Sequence, residues 1–432
     1  MINETYPEKK RKNNKILNVL SLFSGCGGLD LGFEGDFEVL KESVNEIINS
    51  DWKCIAGKNK RWKRLLKTRF KTVFANDIRL DAKIAWSKYF SKRGMDTSIY
   101  FLDSIVDLVK AHYEKEKIFP KNIDVVTGGF PCQDFSIAGK RMGFNSNKSH
   151  NGSILDENIP CIENRGKLYI WMKEVIAITK PKMFIAENVK GLANLDNVKS
   201  IIENDFSSIA GNGYLVVDAR ILNAADYGIP QSRERVVFIG FRKSALKQKA
   251  LLELSLKNIN PLYDPYPPAT HAYTKSKDNL LAPVALKKAL AGLSEPEKSK
   301  DLSQQKYSKA KYMGKHCQGQ VEINLNDIGP TIRSEHHGNI EYRRLSEEHG
   351  GKQFKELKKG LPERRLTVRE CARIQTFPDD YDFVIASNSD NNNLSASSAY
   401  KIIGNAVPPL LGYHIARRIE NNWELYFKGS SK

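Results

Sequence analysis

A thiol, a carboxylate and two guanidiniums stand in this sequence where the local backbone presents them instead of burying them. Gly128-Gly129-Phe130-Pro131-Cys132-Gln133-Asp134-Phe135-Ser136 follows the apolar run Ile123–Thr127. Glycine and proline there make a rigid strand-end loop, and a cysteine on such a loop is set out for nucleophilic chemistry. Glu187 closes the run Met183–Ala186, and a carboxylate at the end of a buried strand is costly unless it is paired or used. Gln231-Ser232-Arg233-Glu234-Arg235 leads into Val236–Phe241. A spacing of two puts Arg233 and Arg235 on one face, where they suit an anion or a polarised carbonyl. Bland readings stand beside these: a packing cysteine, a helix cap at Asn188 and a surface ion-pair ladder through the arginines.

A further segment, Phe23-Ser24-Gly25-Cys26-Gly27-Gly28, follows the run Ile16–Phe23 and precedes a helical pattern. Its glycines permit a tight turn and close approach of the backbone to a ligand. The third glycine of a dinucleotide fingerprint is replaced by Asp30, which argues against a nicotinamide cofactor and leaves another nucleoside-bearing cofactor open. Asp77 ends Thr72–Asn76, where a carboxylate can accept from ribose hydroxyls.

These residues need a scaffold that brings strand ends together. From residue 16 to about 243, β-branched runs alternate with helix-like stretches near 80–92, 103–117, 167–179 and 196–210. Leu215–Ala219 adds another strand candidate. Such alternation predicts an α/β domain with a mostly parallel sheet. Residues 244–360 are lysine-rich and punctuated by Pro and Tyr, and helical periodicity returns at Thr367–Gln375 and Tyr400–Phe427. The expected organisation is a basic tail (1–15), an α/β domain (16–243), a smaller domain (244–360) and a C-terminal segment (361–432) that returns to the first.

The chain has 432 residues, 41% of them hydrophobic, and a formal charge of +18. It is long enough for two to three domains with a real core. It has no apolar run of membrane-spanning length, and Ile16–Phe23 is too short and wrongly flanked for a signal peptide. A cytoplasmic, monomeric protein is the expectation. The six cysteines include no Cys-x-x-Cys pair, so neither a metal site nor disulfides are expected. Charge concentrates in the tail, in 241–320 and in 51–72, where nine basic side chains face one acidic. Basic appendages on a neutral framework are the footprint of a nucleic-acid binder. Trp62, Leu65, Leu66 and Phe70 recur at helical spacing, predicting an amphipathic helix with its basic side outward.

Taken in order, Pro131-Cys132-Gln133, Glu187-Asn188-Val189, Gln231-x-Arg233-x-Arg235, Arg364–Tyr381 and Gly404-Asn405-Ala406-Val407 resemble the DNA cytosine-5 methyltransferases of bacterial restriction–modification systems. The resemblance runs from about residue 17 to 427. It implies a Rossmann-like S-adenosyl-L-methionine-dependent methyltransferase domain with a target recognition domain at 244–360. It also implies methylation at C5 of a cytosine flipped out of double-stranded DNA, with a restriction endonuclease as functional partner. Cys132 matches the nucleophile that adds to C6, Glu187 the group that contacts N3 and the exocyclic amine, and Arg235 the group beside O2. Arg233 and Gln231 match residues that support this loop and its hydrogen bonds.

For the cofactor, the resemblance implies Phe23, Ser24, Gly25, Gly27, Gly28 and Leu29 around the methionine moiety and adenine, and Asp77 on the ribose with Ile78 on the adenine. Asp103 with Ser104 stands at the adenine amino group, and Gly129, Pro131, Leu168, Asn405 and Ala406 complete the pocket. An ordinary helix N-cap is the alternative for Asp103. DNA contacts are expected from Gln133, Ser136 and Gln231, and in the variable segment from Thr331, Arg333, His336, His337, Asn339, Arg343 and Arg344. The extra basic segment 34–71 is expected to touch phosphates through Lys60, Arg61, Lys63 and Arg64. An RNA cytosine-5 methyltransferase and a non-catalytic DNA-binding repressor are the competing readings.

Overall fold

The computed structural model describes residues 15–52, 54–131, 168–193, 197–273, 279–334, 338–386 and 393–429. A seven-stranded sheet forms its centre. The strands are β1 (Leu17–Leu22), β2 (Phe70–Asp77), β3 (Tyr100–Leu102), β4 (Val125–Gly129), β5 (Met183–Val189), β6 (Tyr214–Asn223) and β7 (Glu234–Arg242). Their spatial order is β3-β2-β1-β4-β5-β7-β6. All pairings are parallel except the two made by β7, which runs against both β5 and β6. The order reverses direction between β1 and β4, so the crevice over their carboxyl ends is the natural ligand site of this sheet.

Period-2 patterning sends alternate side chains to two cores. On β7, Val237, Ile239 and Phe241 join one core, and Val236 and Phe238 the other. The first core is closed by α1 (Gly28–Glu34) and α2 (Leu80–Lys92), the second by α3 (Ile105–Ala111), α4 (Leu168–Thr179) and α5 (Val198–Ser207). Three C-terminal helices, α6 (Val368–Ile374), α7 (Ala396–Asn405) and α8 (Pro409–Tyr426), return to the first core. The crossing of α1 and α8 depends on glycine, since a Cβ on Gly32 would lie 2.5 Å from the Pro409 carbonyl oxygen. Among the described residues, no helix is long and apolar enough to cross a membrane.

Three features depart from expectation here. The strand Tyr100–Leu102 is absent from the sequence reading: it is a three-residue edge strand, too short to show a period. The amphipathic helix at 62–70 does not form. Trp62–Arg64 is instead the middle strand of a small antiparallel sheet between Glu38–Leu40 and Ile55–Ala56. Trp62 pairs with Leu40 and the Leu65 N–H donates to the Phe37 carbonyl at 2.9 Å. Cross-strand pairing of sequence-distant residues overrode the helical spacing. The division at 243/244 is also not where packing divides. Lys247 N–H donates to the Tyr426 carbonyl, and Tyr266 hydroxyl to that of Val237 at 2.8 Å, so residues 246–266 lie against the α/β domain.

Candidate active site

The carboxyl ends of β1 to β5 surround a cavity of about 320 Å³. Behind it, the turn after β1 is tight: Phe23 has a φ of 52°, Ser24 N–H donates to the Asn76 carbonyl, and Gly27 N–H to that of Ser24. A bulky residue held at positive φ is a strained feature of the kind found at ligand sites. Gly25 N–H and Arg79 N–H each donate at 2.9 Å to Asp77, one to each carboxylate oxygen. Burial raises the Asp77 pKa above the usual carboxylate range, against the pull of these two donors.

Phe23, Ser24, Gly25, Gly28, Leu29, Asp77, Ile78, Asp103, Ser104, Gly129, Pro131, Leu168, Asn405 and Ala406 all line this cavity. Gly27 does not. Its φ of +75° shapes the turn, and a Cβ there would run into Trp86 at 2.5 Å. The cap of α3 is Ser104, whose hydroxyl accepts from Val106 N–H, so Asp103 is not the N-cap. Asn76, Arg79, Ile105, Asn188 and Val407 also line the wall and were not expected there from the sequence, although each stands within two residues of one that was named. Cys26 is buried beneath the turn with its thiol on the Ile402 carbonyl, a packing residue.

Glu187 and Arg235 face the same cavity. The reversal of β7 explains their meeting, because it brings the first residues of that strand beside the last residues of β5, with Arg235 opposite Val189. Arg235 Nε lies 2.8 Å from Glu187 Oε1, both side chains 12% exposed. Burial pushes the Glu187 carboxyl up, and Arg235 and then Arg233 pull it part-way back. Gly129 makes room, since a Cβ there would sit 3.0 Å from Glu187 Oε2. Asn188 donates to the Phe130 carbonyl at 3.1 Å, fixing the chain just ahead of Pro131. Cys132, Gln133 and Ser136 lie outside the described residues.

The two arginines do not share an anion site. Arg233 is 1% exposed and donates to the carbonyls of Ile332, Gly404 and Ala406, so it ties three segments together and leaves Arg235 to face the cavity. Gln231, expected on DNA, is fully buried between Ile332 N–H, the Ile374 carbonyl and Gln375.

Most of the expected base readers also turn inward. Arg344 is 0% exposed and holds Glu356, Glu295 and the Pro362 carbonyl; Arg343 pairs with Glu356 at 2.6 Å. Burial would raise Glu295, but Arg364 and Arg344 hold it down at about 2. Arg333 reaches Glu341 and the Asn339 carbonyl. Thr331 donates to the Ser232 carbonyl, and the Asn339 side chain accepts from Gln320. His336 and His337 lie outside the described residues. Sequence spacing cannot separate an arginine that reads bases from one that neutralises a buried glutamate.

Comparisons with known proteins agree with this arrangement. The family profile described as C-5 cytosine-specific DNA methylase matches residues 17–421. The type II methyltransferase M.BspRI of Lysinibacillus sphaericus is 32% identical, covering 95% of this chain and 83% of its own. M.NgoPII of Neisseria gonorrhoeae is 31% identical over 94% of this chain and 96% of its own. Among solved structures, the Entamoeba histolytica methyltransferase EhMeth has a TM-score of 0.52 at 16% identity, covering 95% of this chain and 99% of its own. S. pombe Dnmt2 has 0.51 at 16% identity, covering 94% and 99%. The chain belongs to the C-5 cytosine-specific DNA methylases, enzymes that transfer a methyl group from S-adenosyl-L-methionine to C5 of cytosine in DNA.

Proposed function

We propose that this chain is the modification enzyme of a restriction–modification pair, with Cys132 as nucleophile and Glu187 and Arg235 as the groups that hold the flipped cytosine. The observation that carries the residue assignment is the Glu187–Arg235 pair opening onto the cofactor cavity beside Pro131. The type II methyltransferase relatives support the modification role.

The cavity's donor set suits the cofactor. Asp77 and Asp103 can take hydroxyl and amino hydrogens of a nucleoside, Ile78, Leu29 and Leu168 supply apolar faces, and the volume falls in the range of small-ligand sites. When bound, S-adenosyl-L-methionine supplies an electrophilic methyl group on a sulfonium. The protein's task is to make C5 nucleophilic. Addition of the Cys132 thiolate to C6 breaks the C5–C6 double bond and moves charge toward N3 and O2, where stabilisation matters most. Glu187, whose pKa burial raises, is the group placed to donate to N3, and Arg235 stands ready for O2. After C5 has taken the methyl group, loss of the C5 proton returns its electron pair to the ring and expels the Cys132 thiolate. The target atom is out of reach in a stacked duplex, so the base must leave the helix.

The decisive experiment is trapping on duplexes that carry 5-fluorocytosine. Fluorine cannot leave as a proton does, so the Cys132–C6 bond should persist through denaturation, vanish in Cys132→Ser, and mark the target sequence when the trapped DNA is read. An adduct formed with an RNA pool and not with DNA overturns the DNA reading in favour of the RNA enzyme. Tight DNA binding with no adduct leaves the repressor.

The DNA-facing surface we assign to the loop 306–320. Lys306, Lys309, Lys311 and Lys315 are exposed, no acidic residue lies between Asp301 and Glu322, and none of the four makes an ion pair among the described residues. Behind the loop, Arg365 is 1% exposed and donates to the carbonyls of Ala310, Lys311 and Gly319. The loop abuts Asn339, and Arg333–Ser334 rests on Gly404 at the cavity wall. The triple variant Lys309→Gln/Lys311→Gln/Lys315→Gln should lower the salt slope of DNA binding by roughly 2–3 units, at about 0.9 per phosphate contact. An unchanged slope removes this loop from the interface.

A further inference from the structure

We propose that the basic insert 34–71 is the brace that positions the recognition segment, with Arg61 as its positioning residue. The proposal rests on reading 244–360 as the target recognition domain, of which 279–344 is the part braced, and it replaces the expectation that this insert touches DNA phosphates. Four of the insert's basic side chains are spent within the protein, while Lys60, Lys67 and Lys71 stay exposed. Lys58 pairs with Asp379 at 2.5 Å and Arg64 with Asp36 at 2.6 Å, Lys63 reaches Glu46, and Arg69 pairs with Glu424 at 2.9 Å.

Arg61 makes no ion pair among the described residues. Its guanidinium forks instead onto two carbonyls of another part of the chain, Nη1 to Ala291 at 2.7 Å and Nη2 to Lys288 at 2.8 Å. These carbonyls end the short helix Leu286–Leu290, where backbone oxygens lack helical partners and cations are favoured. Arg373, from α6, donates to the carbonyls of Ala289 and Ala291. Two guanidiniums, one from the insert and one from the C-terminal segment, thus hold one helix end. Under them Trp62 packs with Leu40, Val284 and Ala289, with Lys58 Nζ 4.3 Å and Arg373 5.3 Å from its ring. Asn45 adds a second anchor, donating to the carbonyls of Thr270 and Asn279.

The held helix connects onward to the active site. Leu286 N–H donates to the Asp327 carbonyl and Lys287 N–H to that of Leu325, and Leu286 packs on Gly329. Gly329–Ile332 carries on to Arg333–Ser334, which rests on Gly404 in the cavity wall. A shift of the helix is therefore passed along a few packed residues to the place where a flipped base would enter.

Arg61→Lys separates the brace from a phosphate contact, because lysine keeps the charge and loses the two-pronged fork. Arg61→Ala and Lys60→Gln complete the set. Each variant is assayed for DNA KM, kcat at saturating DNA and the salt slope of binding, with hydrogen exchange followed at 286–293. The expected result is that Arg61→Lys and Arg61→Ala both raise KM on the order of tenfold, the loss of about one charge-assisted hydrogen bond. Exchange at 286–293 should quicken, kcat and salt slope should hold, and Lys60→Gln should be silent. A silent Arg61→Lys with a salt slope lower by about one in Arg61→Ala would make Arg61 a phosphate contact. Wild-type KM and exchange in both would overturn the brace. If instead the reading of 244–360 is wrong, the lysine-loop variant leaves the salt slope untouched while Arg61→Lys still quickens exchange.

Discussion

Glu187→Gln is expected to lower kcat by roughly 10²–10⁴-fold, the span of a lost general acid, while cofactor affinity stays close to wild type. Glutamine keeps the volume and can still accept from Arg235, so the 2.8 Å contact survives and the fold with it. What it cannot do is deliver a proton to N3. The pH profile sharpens the test. In the proposed mechanism Glu187 works in its protonated form, and burial raises its pKa, so the wild-type rate should fall as pH rises through that pKa. The residual rate of the variant should lack this alkaline limb. Single-turnover methyl transfer measured across pH, beside a calorimetric titration of the cofactor, reads both effects. An unchanged kcat would reduce Glu187 to a holder of Arg235.

Strand ends were the legible part of this molecule. The runs around β1, β2, β4, β5, β6 and β7 are apolar enough to show in the sequence, and glycine, proline or a lone acid punctuates their ends. That is why Asp77, Gly129, Pro131 and Glu187 could be named and why they line one cavity. What the pattern could not carry was partner choice. Arg343, Arg344 and Arg333 look in sequence like a cluster aimed outward, yet each is matched by a glutamate 8 to 49 positions away in the chain. Trp62 and Leu65 have helical spacing, yet Trp62 pairs with Leu40, 22 residues back across the small sheet. Long-range pairing settles such cases, and local periodicity does not encode it. The exposed lysines of 306–315 fall inside the basic stretch 241–320, but nothing in their spacing singles them out from a solvated face.

Arg233→Met should destabilise the protein by roughly 3–5 kcal/mol, the scale of leaving several buried hydrogen-bonding groups unpaired. Three carbonyls lose a donor: Ile332 within the recognition segment, and Gly404 and Ala406 beside the cavity. Methionine fills much of the space with no charge, so lost packing contributes little. Because Gly404, Asn405 and Ala406 form part of the cavity wall, cofactor affinity should fall together with stability. Arg233→Lys should recover only a fraction of either, since one ammonium cannot replace a planar fork reaching three carbonyls on two other segments. Urea unfolding and cofactor titration of the two variants give the answer. Wild-type stability with lost methyl transfer would instead place Arg233 on the reacting base, and a coupled loss of stability and cofactor affinity makes it the tie that lets the C-terminal segment complete a pocket begun by the first strand.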